Sequence, residues 1–340
     1  MRAEETLMYR EAAEAAAVVR RQRLRNAAAM AALGARLRET KPRSLGTLAR
    51  GSSDNAATYA RYLIETHVDI VTSSVSPSVV SVYGAVRDMA GTVMLVFSQS
   101  GRSPDLIAAA TAARSQGALL VALVNDETSP LAALADVTLP LDAGPERSVA
   151  ATKSFVATLA AIVHLVAEWT GSASLNAALD DLPAQLDAAW ALDWHAAMPP
   201  LATARSLYVV GRGLGLGVAQ EAALKAKETC GLHAEAFSAA EVRHGPMALV
   251  GPDFPVLLFA QDDASAASVD AAAQLFAARG GPVVAAGVAG TITLPTLAAD
   301  PVIQPILLAQ SFYRFANALA LLRGNDPDRP PHLAKVTETL

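Results

Sequence analysis

"TVMLVFSQSGRSPDLIAAATAARSQGALLVALV", residues 92–124, decides the fold. An apolar run breaks on Ser98-Gln99-Ser100-Gly101-Arg102-Ser103, an alanine-rich helical stretch follows, and a second apolar run (118–124) closes the segment. Continuous aliphatic and β-branched runs alternating with helices belong to a parallel sheet covered on both faces. Upstream, "SLGTLARG" (44–51) leads into "SSDNAATYARYLIE" in the same way, and "SLYVVGRG" (206–213) and "FPVLLFAQDD" (254–263) repeat the scheme in the second half. The repeat keeps register: Ser44-Leu45 and Ser206-Leu207, Arg50-Gly51 and Arg212-Gly213, Phe97 with Gln99 and Phe259 with Gln261 are each 162 residues apart (206 − 44, 212 − 50, 259 − 97). Several matches at one offset argue for a duplicated unit.

The expected fold class is therefore α/β, with two tandem doubly wound units of parallel sheet. The boundaries expected are a helical segment over 1–40 packing outside the first unit and a first, phosphate-binding domain over 41–170. A helical connector over 171–204 ends at Pro199-Pro200, a second domain spans 205–326, and a tail over 327–340 carries Lys335.

At 340 residues, 52% hydrophobic and 17% charged, the chain can bury two large cores. A net charge of −5 without a dense basic cluster argues against a nucleic-acid partner. The single cysteine, Cys230, excludes a disulfide framework and a cysteine metal site, and it reads as buried packing. Reducing cytoplasm fits. The N-terminus is charged throughout with no apolar signal core, and "FVATLAAIVHLVAEW" (155–169), interrupted by His164, is too short to span a bilayer. The six histidines, at 67, 164, 195, 233, 244 and 332, lack ligand spacing, so neither a metal nor a cofactor is expected.

In open α/β sheets, ligands sit beyond the carboxyl ends of strands, where loops enter helices whose first N–H groups are unpaired. Ser103-Pro104-Asp105 has the form of such an entry, with Ser as N-cap and Pro at the first helical position. Gly101 lets backbone approach an anion, and the hydroxyls of Ser98, Ser100 and Ser103 can donate to phosphate oxygens. The same residues also fit an ordinary Ser/Gly turn before a capped helix. The second copy carries Asp262 and Asp263 at this place, which would repel an anion.

Further on, "GRGLGLG" (211–217) lacks the spacing of a dinucleotide fingerprint. On the helix that follows, Glu221, Lys225 and Glu228 stand at i, i+4 and i+7 and share one face, a pattern that spacing alone assigns to a solvated stripe. His244 precedes Gly245-Pro246 at a turn.

Taken in order, "RGSS" (50–53), "SQSGRS" (98–103), "ERSVAATKSF" (146–155), "EAALKAKE" (221–228), "HAEAF" (233–237), "RHGPMAL" (243–249) and "LAK" (333–335) resemble the sugar isomerase (SIS) family. The likeness is to the isomerase half of glucosamine-6-phosphate synthase and its stand-alone deaminase relatives. The resemblance implies two flavodoxin-like domains and a homodimer with shared active sites. It implies that Ser98, Gln99, Ser100 and Ser103 cradle a 6-phosphate, that Ser52 and Ser53 join that pocket, and that Val149 meets the sugar through its backbone. It implies Glu228 as the base moving a proton between carbon 1 and carbon 2, and His244 as the ring-opening residue reaching the site from a neighbouring subunit. Lys335 would be a tail lysine able to form a Schiff base, and Glu221 and Lys225 charged residues lining the site. Such chemistry needs a carboxylate near neutrality and a group that titrates there. The family synthase has Cys at Arg50, Thr at Ser52 and Ser103, Glu at Arg102 and Ser at Ala151.

With no glutaminase segment expected, the expected enzyme is an isomerising deaminase that converts glucosamine 6-phosphate and water to fructose 6-phosphate and ammonia. The alternatives are an aldose-ketose isomerase or deaminase of this family acting on another phosphosugar, such as galactosamine 6-phosphate or a fructosamine-type phosphate, simple isomerisation without nitrogen, or a non-catalytic sugar-phosphate sensor. No membrane partner is expected.

Overall fold

The structure, a computed structural model, describes residues 2–335, so residues 336–340 of the expected tail lie outside the described residues. In chain order the first elements are α1 (Leu7–Ala13), α2 (Ala15–Thr40), β1 (Ser44–Leu48), α3 (Ser52–His67), β2 (Thr72–Ser74) and α4 (Ser78–Ser81). Next come β3 (Thr92–Ser98), α5 (Pro104–Ser115), β4 (Leu119–Val124), α6 (Pro130–Leu134), β5 (Val137–Pro140) and α7 (Lys153–Thr170). Then follow α8 (Ala173–Ala191), α9 (Met198–Ala202), β6 (Ser206–Gly211), α10 (Gly215–Cys230), β7 (His233–Ser238) and β8 (Val256–Phe259). The last are α11 (Ala266–Ala278), β9 (Val283–Ala286), β10 (Ile292–Leu294) and α12 (Gln304–Leu322).

Both sheets are wholly parallel and five-stranded, in the orders β2-β1-β3-β4-β5 and β7-β6-β8-β9-β10. Strands β3 and β4 are buried almost end to end, as a sheet covered on both faces requires. The 162-residue offset is structural: Gly46 pairs with Met94 and Tyr208 with Val256, while Leu45 pairs with Thr72 and Leu207 with Ala234. It becomes 163 at the next strand, where Met94–Leu120 corresponds to Val256–Val283. The stretch from β8 to β9 is thus one residue longer than that from β3 to β4.

The described residues form two compact units. One gathers Ala17–Pro145 and Ala157–Asp180 around the first sheet; the other gathers the chain up to Ala16 with Glu146–Val156 and Asp181–Lys335 around the second. The first core interleaves Leu48, Met94, Val96, Leu120 and Ala122 with Leu106, Ala109 and Ala110 of α5. The second sets Val210, Leu258 and Ala285 against Val269, Ala272 and Phe276 of α11. At about 1.5–3 kcal/mol per large buried aliphatic side chain, these faces dominate the stability of each unit.

The first sixteen residues depart from the expectation that the N-terminal helix packs outside the first unit. They join the second sheet's unit, because Asp328 accepts the Leu7 and Met8 N–H groups, each at 2.7 Å, and Asn317 accepts the Thr6 hydroxyl at 2.7 Å. Pro199 and Pro200 do not end the connector; they stand in the first turn of α9, where a missing N–H costs nothing. No described helix is long and apolar enough to cross a membrane.

His164 lies buried inside α7, and burial, with Arg23 adding to it, pulls its pKa down to about 4. Unfolding restores the ordinary 6.5. Between those values the unfolded chain binds the extra proton, so stability is intact above pH 6.5 and falls as pH drops towards 4. The loss is about 3 kcal/mol at ~1.4 kcal/mol per pH unit. Urea titrations at pH 7 and pH 4.5 should show that loss in the wild type and a smaller one in His164→Leu. Equal slopes for the two proteins would refute it.

Candidate active site

The strand order of the first unit reverses direction between β1 and β3, and both strands run straight into helices there. This is a topological switch point, where two helix amino ends converge on a crevice. Gly51 (φ 56°) turns the chain into α3, which places Ser52 and Ser53 in its first turn, half-buried. On the other side Gly101 (φ 63°) backs onto α6: a Cβ there would stand 2.2 Å from Ser129 Oγ, and its carbonyl accepts the Leu131 N–H at 3.3 Å. Only glycine fits. Ser98 Oγ accepts the Gly101 N–H at 3.0 Å, so this buried hydroxyl also shapes the loop. Gln99 and Ser100 are half-buried at the turn itself. Ser103 occupies the N-cap as expected, yet its hydroxyl makes no capping bond to α5.

The two arginines near the loop are each committed to a carboxylate. Arg50 donates twice to Asp105, at 3.1 and 2.7 Å, and Arg102 pairs with Asp126 at 2.8 Å. The field that would attract an anion is therefore that of the helix ends. In the second unit the equivalent crevice is filled from within. Asp263 accepts the Ser265 N–H at 2.7 Å and the Ser265 hydroxyl at 2.5 Å, and Gln261 donates its amide to Asp263, Ser265 and the Arg212 carbonyl. A carboxylate of the chain holds the place an anion would take.

Helix α10 overturns the reading of a solvated stripe. Glu221 and Lys225 are 1% and 0% exposed, facing α12, where the Tyr313 hydroxyl donates to Glu221 Oε1 at 3.1 Å. Lys225 Nζ lies 3.4 Å from Glu221 Oε1 and donates to Glu228 Oε2. Burial alone would push the Lys225 ammonium down; Glu221 and Glu228 overcome it and hold its pKa raised. Burial, then Glu221, pushes the Tyr313 hydroxyl well above the ordinary tyrosine range. Of the cluster, Glu228 alone keeps solvent access, its side chain 21% exposed. One carboxylate oxygen accepts from Lys225, and no hydrogen bond to the other is found among the described residues.

Val149 sits half-buried in the loop before α7. Lys335 is drawn to that loop: its Nζ lies 3.2 Å from Glu146 Oε2. Glu146 also accepts the Thr152 and Ser154 N–H groups at 3.0 and 3.1 Å and the Ser154 hydroxyl at 2.6 Å. Burial opposes its charge, but Lys335 and these donors hold its carboxyl below the usual range. His244 is exposed at the turn Glu241–His244, followed by Gly245 at φ 140°. Sequence reading missed Tyr313 and Glu146. Tyr313 lies in an apolar helix with no distinguishing neighbour, whereas Glu146 opens "ERSVAATKSF", in which the expectations fall on Val149 and Ala151. Cys230 is buried as expected, and burial raises its thiol to about 11.

A family model described as the SIS domain matches residues 40–168 and 200–288. The chain belongs to the SIS domain family. Its SIS relatives include the isomerizing glutamine--fructose-6-phosphate aminotransferase of Thermotoga maritima, 33% identical over 305 residues that cover 84% of this chain and 50% of that protein. The same-named protein of Zymomonas mobilis is 34% identical over 310 residues, covering 85% of this chain and 51% of its own length. The chain thus spans about half the length of these curated relatives. Among solved structures, a provisionally assigned phosphosugar isomerase from Silicibacter pomeroyi DSS-3 is 43% identical, covers 95% of this chain and 100% of its own, and superposes with a TM-score of 0.89. The C-terminal domain of glucosamine-fructose-6-phosphate aminotransferase from Francisella tularensis, 24% identical over 96% of this chain and 98% of its own, shares the fold at a TM-score of 0.87.

Proposed function

We propose that this SIS protein is an isomerising amino-sugar phosphate deaminase, which takes glucosamine 6-phosphate and water to fructose 6-phosphate and ammonia. The observation that carries the reading is the α10 cluster: a carboxylate paired through one oxygen with a buried lysine, which lies beside a second carboxylate that accepts from a tyrosine. That is the equipment of a 1,2-proton shift, in which one base takes a proton from one carbon and returns it to its neighbour. The relatives named for fructose 6-phosphate support the substrate class.

In this reading Ser98, Gln99, Ser100 and Ser103, with Ser52 and Ser53, hold the 6-phosphate, and the backbone at Val149 takes sugar hydroxyls. His244 opens the ring, from the other subunit of a homodimer, and Glu228 moves the proton. Lys335 attends the open-chain ketose; Glu221 and Lys225 keep Glu228 aimed. Binding of the phosphate contributes energy remote from the reacting carbons.

Purified protein given glucosamine 6-phosphate should produce ammonia and fructose 6-phosphate in equal amounts; no turnover would refute the reading. The likeness to the Silicibacter pomeroyi protein favours a second reading, isomerisation without nitrogen. Conversion of fructose 6-phosphate to glucose 6-phosphate, with no ammonia from the amino sugar, would select it.

A further inference from the structure

Helix α1 lies outside the residues that the SIS model matches, and it is not a passive extension. Asp328, Thr6 and Asn317 fix its amino end. From its buried face Glu11 reaches the loop before α7, where its two carboxylate oxygens accept consecutive backbone N–H groups, Arg147 at 2.5 Å and Ser148 at 3.1 Å. Burial pushes the Glu11 carboxyl up, and these two amides pull against it. One turn further on, Glu14 accepts from the buried Lys153 at 2.6 Å. At the far end of the loop Glu146 holds Thr152 and Ser154.

Residues 147–148 and 152–154 are thus pinned by two buried carboxylates. Between the pins, Val149, Ala150 and Ala151 make no hydrogen bond among the described residues. The pinned ends carry the hydroxyls of Ser148 and Thr152, both buried and both without a protein partner. Buried polar groups are seldom left so. A stretch of backbone held from both sides and left unpaired in the middle is built to pair with something else.

We propose that Glu11 is a positioning residue for sugar binding: with Glu146 it sets the loop so that the backbone of Val149–Ala151 meets the hydroxyls of the sugar. The inference rests on the function proposed above, which gives that loop its ligand. A carboxylate is required, because two adjacent N–H donors need two acceptor oxygens. In Glu11→Gln the amide nitrogen would face a donor, and in Glu11→Asp the reach is one methylene short.

The test compares full-length wild type, Glu11→Gln and Glu11→Asp. Hydrogen exchange at the Arg147 and Ser148 amides, read without any ligand, should quicken at least about tenfold in Glu11→Gln. With glucosamine 6-phosphate, its KM should rise about tenfold while kcat stays within twofold, the signature of lost binding in ground and transition states alike. Glu11→Asp should fall between. Unchanged exchange, unchanged KM in an active protein, or a fall in kcat at constant KM would overturn the proposal. Should Glu11→Gln fail to fold, the Glu11→Asp values decide by the same criteria. A wild type without turnover would instead refute the assigned reaction. Exchange, together with calorimetric binding of fructose 6-phosphate to wild type and Glu11→Asp, would then judge the loop: unchanged exchange or equal affinity overturns it.

Discussion

Glu228→Gln should lower kcat for deamination of glucosamine 6-phosphate by about 10²–10⁴, the usual worth of a positioned general base. The substitution keeps the size of the side chain and an oxygen that can still accept from Lys225, so α10 keeps its place. What disappears is the ability to carry a proton. The groups proposed to hold the phosphate lie at the end of β3, in the loop to α5 and in the first turn of α3, separate in the chain from this side chain, so KM should change little. A loss confined to kcat is the mark of an interaction made only in the transition state. A stopped assay for ammonia, together with exchange of solvent deuterium into the carbon 1 and carbon 2 positions of recovered sugar, checks both halves. Wild-type turnover in this variant would remove Glu228 from the mechanism and leave the buried cluster as structural.

The sequence made the fold legible because its signal is backbone register. A parallel sheet buried on both faces leaves its strands as apolar runs, and the offset of 162 carried through to the pairings Gly46–Met94 and Tyr208–Val256. The turn at Ser98–Ser103 was legible for a related reason: Ser98, Gly101 and Ser103 are local, and the turn and helix entry they form are set by near neighbours in the chain. The α10 cluster was not. Periodicity shows that Glu221, Lys225 and Glu228 share a face but not what that face meets. Here it meets Tyr313, 92 residues away in sequence, and that contact turns a solvated stripe into a buried ion cluster. The same holds for Glu11 with Arg147, separated by 136 residues, and Glu146 with Lys335, separated by 189. Polar contacts so remote in the chain leave no periodic trace. The N-terminal segment went astray similarly, since helical pattern predicts a helix without naming the sheet it joins.

Lys225→Met should destabilise the protein by about 3–5 kcal/mol, the cost of removing one partner from a buried ion pair. Lys225 is wholly buried, and its ammonium is the cation that compensates both Glu221 and Glu228. Methionine fills nearly the same space, so little of the loss comes from a cavity. Glu221 would remain 1% exposed with its bond from Tyr313 but without the Lys225 ammonium 3.4 Å away. A carboxylate so placed either breaks the packing between α10 and α12 or takes up a proton, and both weaken the native state near neutral pH. The second outcome gives the loss a direction with pH: the gap between variant and wild type should narrow as pH falls, because burial without a cation favours the neutral carboxyl. A partner substitution makes the assignment firm. Glu221→Gln in the Lys225→Met background discharges the stranded group while keeping an acceptor for Tyr313, so the double variant should regain more than half of the loss, a coupling that two independent sites would not show. Urea titrations of wild type, Lys225→Met, Glu221→Gln and the double variant at pH 7 and pH 5 measure every quantity. A Lys225→Met protein as stable as wild type, or a double variant no better than the single one, would mean that the cluster is neither dry nor coupled, and Glu228 would lose the support that gives its free oxygen a fixed aim.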